Sequence, residues 1–448
     1  MSAPREGAAR GTPPATRGAL WATACALAAL VAIGLDPFLD AVVALGRYMP
    51  PHDIASDYAT SLLWAFVLGL TILVWPVRSS DRVPLALIWA AKVAVTLGFM
   101  LLYEWNFPLL DAWAYYGAAA EPSLDSSGAG IGGGTELTIA LTWLHTRLLP
   151  GSYHAAKVTF AMCGLVAVYV FYRAAVVAAG RERLGLLLGL ALFPSILFWS
   201  SILGKDPVIL LGIAVYAYGV VSWDRKGGAR YLACAIAGLA LAASFRLWLA
   251  PILAAPLGVT AVLRARGAVP RAAWLAGGGI LVAVAMRVFW QRFAIETIGD
   301  LLSAANYWSQ GWAEGGSAQV LSGEFTGIGS MLAFLPLGMF TALFRPLPGE
   351  VMNAFGLLAG LENAFVLGLL ALALARTRWR DLRDPLVLWA VLVVLTWSSV
   401  YSFVSYQNLG TAVRFRLQIL PILLLLLLHL AARRSADAPG GAGAGRRQ

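Results

Sequence analysis

Long apolar runs recur along this sequence, and they constrain its fold class before any motif is considered. A run of roughly 20 apolar residues is long enough for a helix to cross a bilayer, and such runs occur from near the first residues to near the last. Charged residues make up only 12% of the chain, about half of their share in soluble domains. Because backbone groups in lipid must bond within their own segment, the runs are expected to be helices. We therefore predict an all-α fold, a polytopic transmembrane helical bundle.

Hydropathy predicts about 12 membrane spans within one transmembrane domain, residues 19–432. The predicted spans are 19–35, 59–76, 84–103, 156–177, 184–203, 206–222, 230–247, 249–264, 272–289, 354–375, 386–404 and 414–431. The Ala/Gly/Pro/Arg-rich residues 1–18 and the low-complexity tail 433–448 are predicted to be disordered.

The distribution of positive charge predicts which ends of the spans face the cytoplasm. The net charge is +10, and most lysines and arginines lie in the two tails or after the even-numbered spans. Cytoplasmic loops are enriched in these residues, so both termini are predicted to be cytoplasmic in a multi-pass protein of the bacterial inner membrane. The basic start resembles a cleaved signal peptide as well, but an uncleaved anchor preserves the charge alternation. No basic patch with aromatic residues gathers on one domain, so nucleic acid is not an expected partner.

Four predicted outer loops contain most of the chemically interesting residues. They are 36–58, 104–155, 290–353 and 405–413, and we expect juxtamembrane helices within them. Carboxylates, tryptophans and tyrosines concentrate there, which is typical of an active site at the outer membrane face. An interfacial aromatic belt is the alternative explanation. The three cysteines and four histidines show no metal-ligand spacing, so no metal ligand is assigned, although a divalent metal cofactor is left open.

The order of several segments resembles the GT-C superfamily of membrane glycosyltransferases. The segment "LLDAWAYYGAAA" follows a span, the amphipathic stretch "ELTIALTWLHTRLLPG" comes next, and two later segments read "LGLLLGLALFPSILFWSSILGKD" and "YLACAIAGLALAASFRLWLAPI". Members of that superfamily carry an acidic residue in the first large outer loop, followed by juxtamembrane helices. The resemblance covers roughly residues 85–265. This chain departs from the family pattern because its acidic loop follows the third predicted span instead of the first.

The resemblance implies transfer of a sugar from a polyprenyl-phosphate-linked donor to a glycan, lipid or protein acceptor. The expected partners are that donor, a glycan or lipid acceptor, and membrane lipids. A later segment, "NLGTAVRFRLQILPILLLLL", is similar to bacterial polysaccharide-cluster membrane proteins, so an O-antigen-like polymerase is one alternative. A flippase or transporter for a lipid-linked glycan is the other. Transporters often contain inverted repeats, and no internal repeat is evident here.

Sugar transfer requires a base near the membrane surface that takes the proton of an acceptor hydroxyl. Asp111 is the candidate base, and Glu104 is the competing carboxylate. Tyr115 lies four residues after Asp111 and is predicted to share its helical face. We predict that Tyr115 and the neighbouring Tyr116 contribute to the donor site. Asp111 is also a favourable residue for a helix N-cap, so a purely structural role stays open.

The departing phosphate gathers negative charge and needs cations. Lys205 is predicted to pair with Asp111 or with a lipid phosphate, or else to extend its amine to the membrane surface. Asp206 is assigned to the same donor site, although an Asp directly before Pro207 is also typical of a helix N-cap.

Four further cations lie in or beside apolar runs. Arg246 is predicted to bind the donor phosphate or a carboxylate, since an unpaired arginine within a membrane costs roughly 2.5 kcal/mol or more; a structural ion pair is the alternative. Arg414 and Arg416 are two residues apart and point about 200° from each other on a helix. Only one of them can therefore face the donor. The alternative is that both arginines anchor to lipid phosphates. Lys92, within a predicted span, is expected to form a structural pair or to extend to the membrane surface.

Overall fold

The protein is almost entirely helical over the part of the chain that the structure describes. This computed structural model describes residues 53–106, 110–121, 133–293, 297–311, 317–319 and 324–432, with a few positions between 29 and 44. No strand is present among these residues, which confirms the predicted all-α class. The two predicted disordered tails and most of the predicted first span, 19–35, lie outside the described residues.

The helices are numbered here in chain order from the first long helix. Helices α1 to α18 are Ile54–Thr71, Ser79–Ala94, Met100–Asn106, Asp111–Ala120, Gly134–Leu148, Tyr153–Ala179, Leu184–Ala191, Pro194–Trp199, Lys205–Lys226, Ala229–Phe245, Leu249–Arg264, Ala268–Phe293, Ile298–Gly311, Ile328–Phe344, Ala354–Arg376, Pro385–Val404, Leu409–Arg416 and Leu420–Ala432. A π-helical segment, Val95–Phe99, joins α2 to α3.

Among the described residues, seven helical segments are long and apolar enough to cross a membrane. They are Ile54–Val74, Ser79–Trp105, Tyr153–Ala179, Lys205–Lys226, Ala268–Val288, Ala354–Arg376 and Pro385–Val404. Helices α17 and α18 form an eighth if the 71° bend between them lies within one span. Helices α10, α11 and α14 are apolar but shorter. The bundle character is therefore as predicted, whereas the count of 12 spans is not confirmed.

Two apolar segments differ from their predicted form. The predicted span 184–203 is not one helix, because α7 ends at Ala191 and α8 begins at Pro194. Proline lacks a backbone N–H and disfavours helical geometry in the residue before it, so the break has a local cause. Helix α14, in contrast, lies within the predicted outer loop 290–353, where no apolar helix of this length was predicted.

Helix α9 occupies the centre of the bundle, with α6 and α10 packed along it. A side-chain carbon added at Gly238 of α10 would lie 2.3 Å from the backbone nitrogen of Tyr216. Small residues at such points allow two helix backbones to approach closely, as is common between membrane helices. The 22 residues of α9 extend about 33 Å at 1.5 Å per residue, close to the thickness of a bilayer core. The two ends of α9 therefore mark opposite ends of the bundle.

Candidate functional site

Charged residues from four distant segments meet at the first turn of α9. The guanidinium of Arg414 donates from Nε to Oδ2 of Asp206 at 2.7 Å and from Nη1 to Oδ2 of Asp111 at 2.9 Å. Together with Lys205 and Arg246 they form what we call the Asp–Arg cluster. Because a carboxylate lies on each of two edges of the Arg414 fork, the plane of its guanidinium is fixed.

Arg246 lies where α10 ends and the chain turns into α11. Its Nη2 is 3.9 Å from Oδ1 of Asp206, and its Nη1 donates to the hydroxyl of Tyr401 at 3.1 Å. Its guanidinium also lies 3.9 Å from the centre of the Phe415 ring. The Arg246 side chain is buried, so these contacts replace water and offset the penalty of an unpaired buried charge.

Lys205 faces helices α4 and α5 and makes no ion pair with Asp111. Its Nζ donates to the hydroxyl of Thr135 at 2.7 Å and lies 5.8 Å from the centre of the Tyr115 ring. A side-chain carbon at Gly134 would lie 2.3 Å from the carbonyl oxygen of Phe245, so the start of α5 packs tightly on the end of α10. This close packing brings Thr135 within reach of Lys205.

The Tyr115 side chain is a neutral phenol in this setting. It is buried beside the cluster, and its position four residues after Asp111 brings it to the same end of α9. Burial raises the pKa of the Tyr115 phenol, and the neighbouring Asp111 carboxylate raises it further. The phenol therefore stays protonated at neutral pH and does not act as a base.

The Asp–Arg cluster has a net positive charge, and its two carboxylates differ in exposure. Two carboxylates face three cations, which leaves one positive charge. The Asp111 side chain is 55% exposed, whereas that of Asp206 is 1% exposed. Among the residues that the structure describes, Nη2 of Arg414 has no hydrogen-bond partner. The site can thus accept a singly charged anion at Arg414, with Asp111 open to a second reactant.

An apolar cavity of about 520 Å³ adjoins the cluster. We call it the aromatic groove, because Phe99, Tyr103, Phe198, Trp199 and Phe355 line it. These rings touch one another edge to face, with Tyr103 and Phe355 5.1 Å apart. Arg414 lies at its border, 5.6 Å from the centre of the Trp199 ring. An apolar cavity that ends at a fixed cation fits an amphiphile with an anionic head.

Lys92 forms hydrogen bonds to the turn between α8 and α9. Its Nζ donates to the carbonyl oxygen of Ser200 at 2.9 Å, to the Ser200 hydroxyl at 2.7 Å and to the Ser201 hydroxyl at 2.9 Å. Gly164 of α6 provides the space, since a side-chain carbon there would lie 2.0 Å from the Ser200 carbonyl oxygen. Lys92 is therefore a structural residue that fixes the turn leading to Asp206, and it does not extend to the membrane surface.

Two predicted site residues lie away from the cluster. Glu104 is fully buried and accepts from Nζ of Lys157 at 2.7 Å and from the hydroxyl of Tyr153 at 3.0 Å. The hydroxyl of Tyr116 donates to the carbonyl oxygen of Gly151 at 3.1 Å. Glu104 is neutralised by its own lysine and is shielded from solvent, which argues against its predicted role as the competing base. Tyr116 positions α4 on the chain before α6 and does not reach the Asp–Arg cluster.

Arg416 points away from Arg414, as helical geometry predicts. Its Nε donates to the carbonyl oxygen of Ala342 at 3.0 Å, and its Nη1 donates to the side chain of Asn363. The side chain is 2% exposed and joins α17 to α14 and α15. These contacts give Arg416 a structural role, and its burial argues against both donor binding and anchoring to lipid headgroups.

The capping alternatives for the two aspartates are also wrong. The N-cap of α4 is Leu110 and that of α9 is Gly204, and neither helix start has a side-chain cap. Asp111 and Asp206 instead occupy the first turns of their helices. Their carboxylates are therefore directed to Arg414 and not to the backbone.

Several residues of the site were not predicted from the sequence. Tyr401 accepts from Arg246 and from Nε1 of Trp248 at 2.9 Å, and it donates to Oε1 of Gln418 at 2.8 Å. Trp199 stacks under Arg414. Nothing local marks Tyr401, whereas Trp199 directly precedes the "SSILGKD" segment that contains Lys205 and could have been included.

The described residues form a helical protein with several segments long and apolar enough to cross a membrane. In one place an apolar cavity adjoins paired charges. Within the described ranges, no group of three or more His, Cys, Asp or Glu gathers to hold a metal ion. Comparisons with protein-family models, with curated proteins and with solved structures find no match to this chain.

Proposed function

We propose that the protein is a membrane glycosyltransferase that transfers a sugar from a polyprenyl-phosphate-linked donor to a glycan, lipid or protein acceptor. The observation that supports this most directly is Arg414, fixed between Asp111 and Asp206 at the border of the aromatic groove. In the proposal, the site faces the outside of a bacterial inner membrane and both termini face the cytoplasm.

In the proposal, the aromatic groove binds the polyprenyl chain of the donor and the Asp–Arg cluster binds its phosphate. The polyprenyl chain lies in the aromatic groove, where apolar rings replace lipid. The phosphate lies against Nη2 of Arg414, with Arg246 and Lys205 contributing positive charge. A guanidinium suits this position because Nε and Nη1 can hold the two aspartates while the N–H groups of Nη2 stay available to the phosphate.

Transfer uses Asp111 as the general base. The acceptor hydroxyl gives its proton to the Asp111 carboxylate, and its oxygen forms a bond to the anomeric carbon of the sugar. The bond from that carbon to the phosphate oxygen breaks, and the electron pair leaves with the polyprenyl phosphate. Arg414 and Arg246 stabilise the charge that develops there. Asp111 fits the base role because it is the exposed carboxylate of the cluster.

The order of elements around Asp111 supports the proposed relation to the GT-C superfamily. Helices α4 and α5 pack on each other and lie in sequence between the membrane-crossing segment Ser79–Trp105 and α6. This is the order of acidic loop, juxtamembrane helices and following span that the resemblance implies. The two predicted spans ahead of the acidic loop remain a departure from the family pattern.

Two alternatives share parts of this geometry. A polysaccharide polymerase uses the same donor chemistry with a lipid-linked glycan as the acceptor. A flippase needs a path between the two ends of the bundle. The middle of α9 is tightly packed, with the fully buried Tyr216 hydroxyl donating to the carbonyl oxygen of Leu253 and accepting from Trp389. This packing favours the enzyme over the flippase.

The test is reconstitution of the full chain into liposomes that contain radiolabelled polyprenyl-phosphate hexoses and candidate acceptors. A transferase releases polyprenyl phosphate and moves label to the acceptor. Growth of a glycan on one lipid indicates the polymerase. Movement of intact donor between leaflets, with no cleavage for any hexose, contradicts the proposal.

A further inference from the structure

We propose that the other end of α9 holds a site for one anionic phospholipid. This inference is independent of the proposed transferase function. A second cavity, also of about 520 Å³, lies between α6, α9, α16 and α18. We call it the distal cavity. Its wall is mostly apolar and buried, and includes Phe171, Ala175, Val221, Trp389 and Leu426.

The distal cavity is well separated from the Asp–Arg cluster. Asp206 lies in the first turn of α9, whereas Val221 and Arg225, near the end of that helix, line the distal cavity. The lining of the distal cavity begins on α9 at Ala217, so about 16 Å of helix at 1.5 Å per residue separates it from Asp206. A headgroup at Arg181 and Arg183 is therefore held at a different place from a phosphate at Arg414.

The mouth of the distal cavity carries an excess of positive charge. Arg181, Arg183 and Arg225 line it and are exposed, and Asp384 is the carboxylate among the lining residues. Arg225 lies 3.8 Å from Asp384. Arg181 and Arg183 have no ion pair with any described residue, because the intervening Glu182 pairs with Arg78 and Arg173 instead. Two guanidinium groups are thus available at the entrance to an apolar cavity.

This combination selects the class of ligand. A soluble anion gains nothing from the apolar wall, and a lipid with a neutral headgroup gains little from the arginines. An anionic phospholipid uses both, with acyl chains in the cavity and its phosphate on Arg181 and Arg183. Basic pockets between transmembrane helices are a known way to bind such headgroups. Phosphatidylglycerol is the simplest lipid of this class and serves as the probe.

The experiment measures binding of fluorescent phosphatidylglycerol and phosphatidylcholine to the purified full chain in micelles of a non-ionic detergent. We expect phosphatidylglycerol to bind about tenfold more tightly than phosphatidylcholine. The double variant Arg181→Gln, Arg183→Gln should lose that preference. Ala178→Phe, which places a ring in the cavity wall, should weaken binding of both lipids, and Ala178→Val is a milder version if the ring impairs folding.

The matched control is the double variant Arg266→Gln, Arg378→Gln. It removes the same charge from two exposed arginines that do not line the distal cavity, and it should leave phosphatidylglycerol affinity within about twofold. An equal loss in the control would show attraction to diffuse surface charge and overturn the site. So would unchanged affinity in the Arg181/Arg183 variant, or displacement of phosphatidylglycerol by millimolar inorganic phosphate alone.

Discussion

The two ends of α9 carry cavities of equal size, and they differ in what their arginines contact. Each cavity is about 520 Å³ and mostly apolar. At one end, Arg414 is fixed between Asp111 and Asp206. At the other end, Arg181 and Arg183 are exposed and have no ion pair with any described residue.

The difference shows how the same residue type serves two purposes. A guanidinium that is already paired loses little side-chain freedom when a ligand arrives, so it can hold that ligand in one geometry. This is what a reaction requires. An exposed and unpaired guanidinium attracts an anionic headgroup without fixing its position. We therefore expect chemistry at the Asp111 end and lipid binding alone at the distal end.

The largest effect is expected for Asp111→Asn. The amide keeps the size and much of the hydrogen bonding of the carboxylate but cannot take a proton. Sugar transfer in proteoliposomes should fall by a factor of about 100 or more, in line with the usual contribution of a general base. Donor binding should persist. Glu136→Gln, at an exposed position on α5, is the control and should keep full turnover; equal losses in both variants would remove Asp111 from the base role.

The next effect separates Arg414 from Arg416. Arg414→Lys removes the fork that contacts both aspartates and should weaken donor binding by about 1–3 kcal/mol. Arg416→Lys should leave donor affinity nearly unchanged and instead lower the free energy of unfolding, because its buried bonds to Ala342 and Asn363 are lost. Binding and thermal unfolding are measured on both variants. Equal donor affinity in both would refute the assignment of Arg414.

A smaller effect tests whether the turn before α9 sets the geometry of the cluster. Gly164→Ala forces a methyl group against the Ser200 carbonyl oxygen and should destabilise the protein by about 1–3 kcal/mol, as overpacking does. Donor binding should weaken, while phosphatidylglycerol binding at the distal cavity is kept. Gly189→Ala has open space around its new carbon and lies outside the distal cavity, so it should behave as wild type. Unchanged donor binding in the stable fraction of Gly164→Ala would show that the turn does not position Asp206.

The smallest effect is expected when charge is removed from the distal end. The variant Arg181→Gln, Arg183→Gln should keep sugar transfer within about twofold, because these residues line the cavity at the end of α9 opposite Asp206 and contact no member of the Asp–Arg cluster. Initial rates at saturating donor measure this. A large loss of turnover would mean that the two ends are coupled and that their separate roles are wrong.

The sequence predicted the helical class and most of the charged residues of the site, because both have local signals. Apolar runs mark helices, and charges within apolar surroundings are rare enough to stand out, as Asp206, Arg246 and Arg414 do. Their partners had no such signal. The contact of Lys92 with Ser200 joins residues 108 positions apart, and Tyr401 is marked only by the packing around Arg246.

The errors have physical reasons as well. Asp206 before Pro207 has the sequence pattern of an N-cap. In the fold its carboxylate instead accepts a hydrogen bond from Arg414, a residue distant in sequence. The break at Pro194 had a visible signal that hydropathy averaging concealed. Glu104 was predicted as the carboxylate competing with Asp111, and only the fold shows that Lys157 neutralises it.

The most direct test of the account is photo-crosslinking with a polyprenyl phosphate that carries a photoreactive group on its isoprenoid chain. The wild-type protein in liposomes that also contain phosphatidylglycerol should be labelled on peptides around Tyr103, Phe198 and Phe355, which line the aromatic groove. Unlabelled polyprenyl phosphate should compete, and Arg414→Lys should reduce the labelling. Labelling around Leu186 and Ala390 of the distal cavity, with none in the aromatic groove, would contradict the assignment of the two ends.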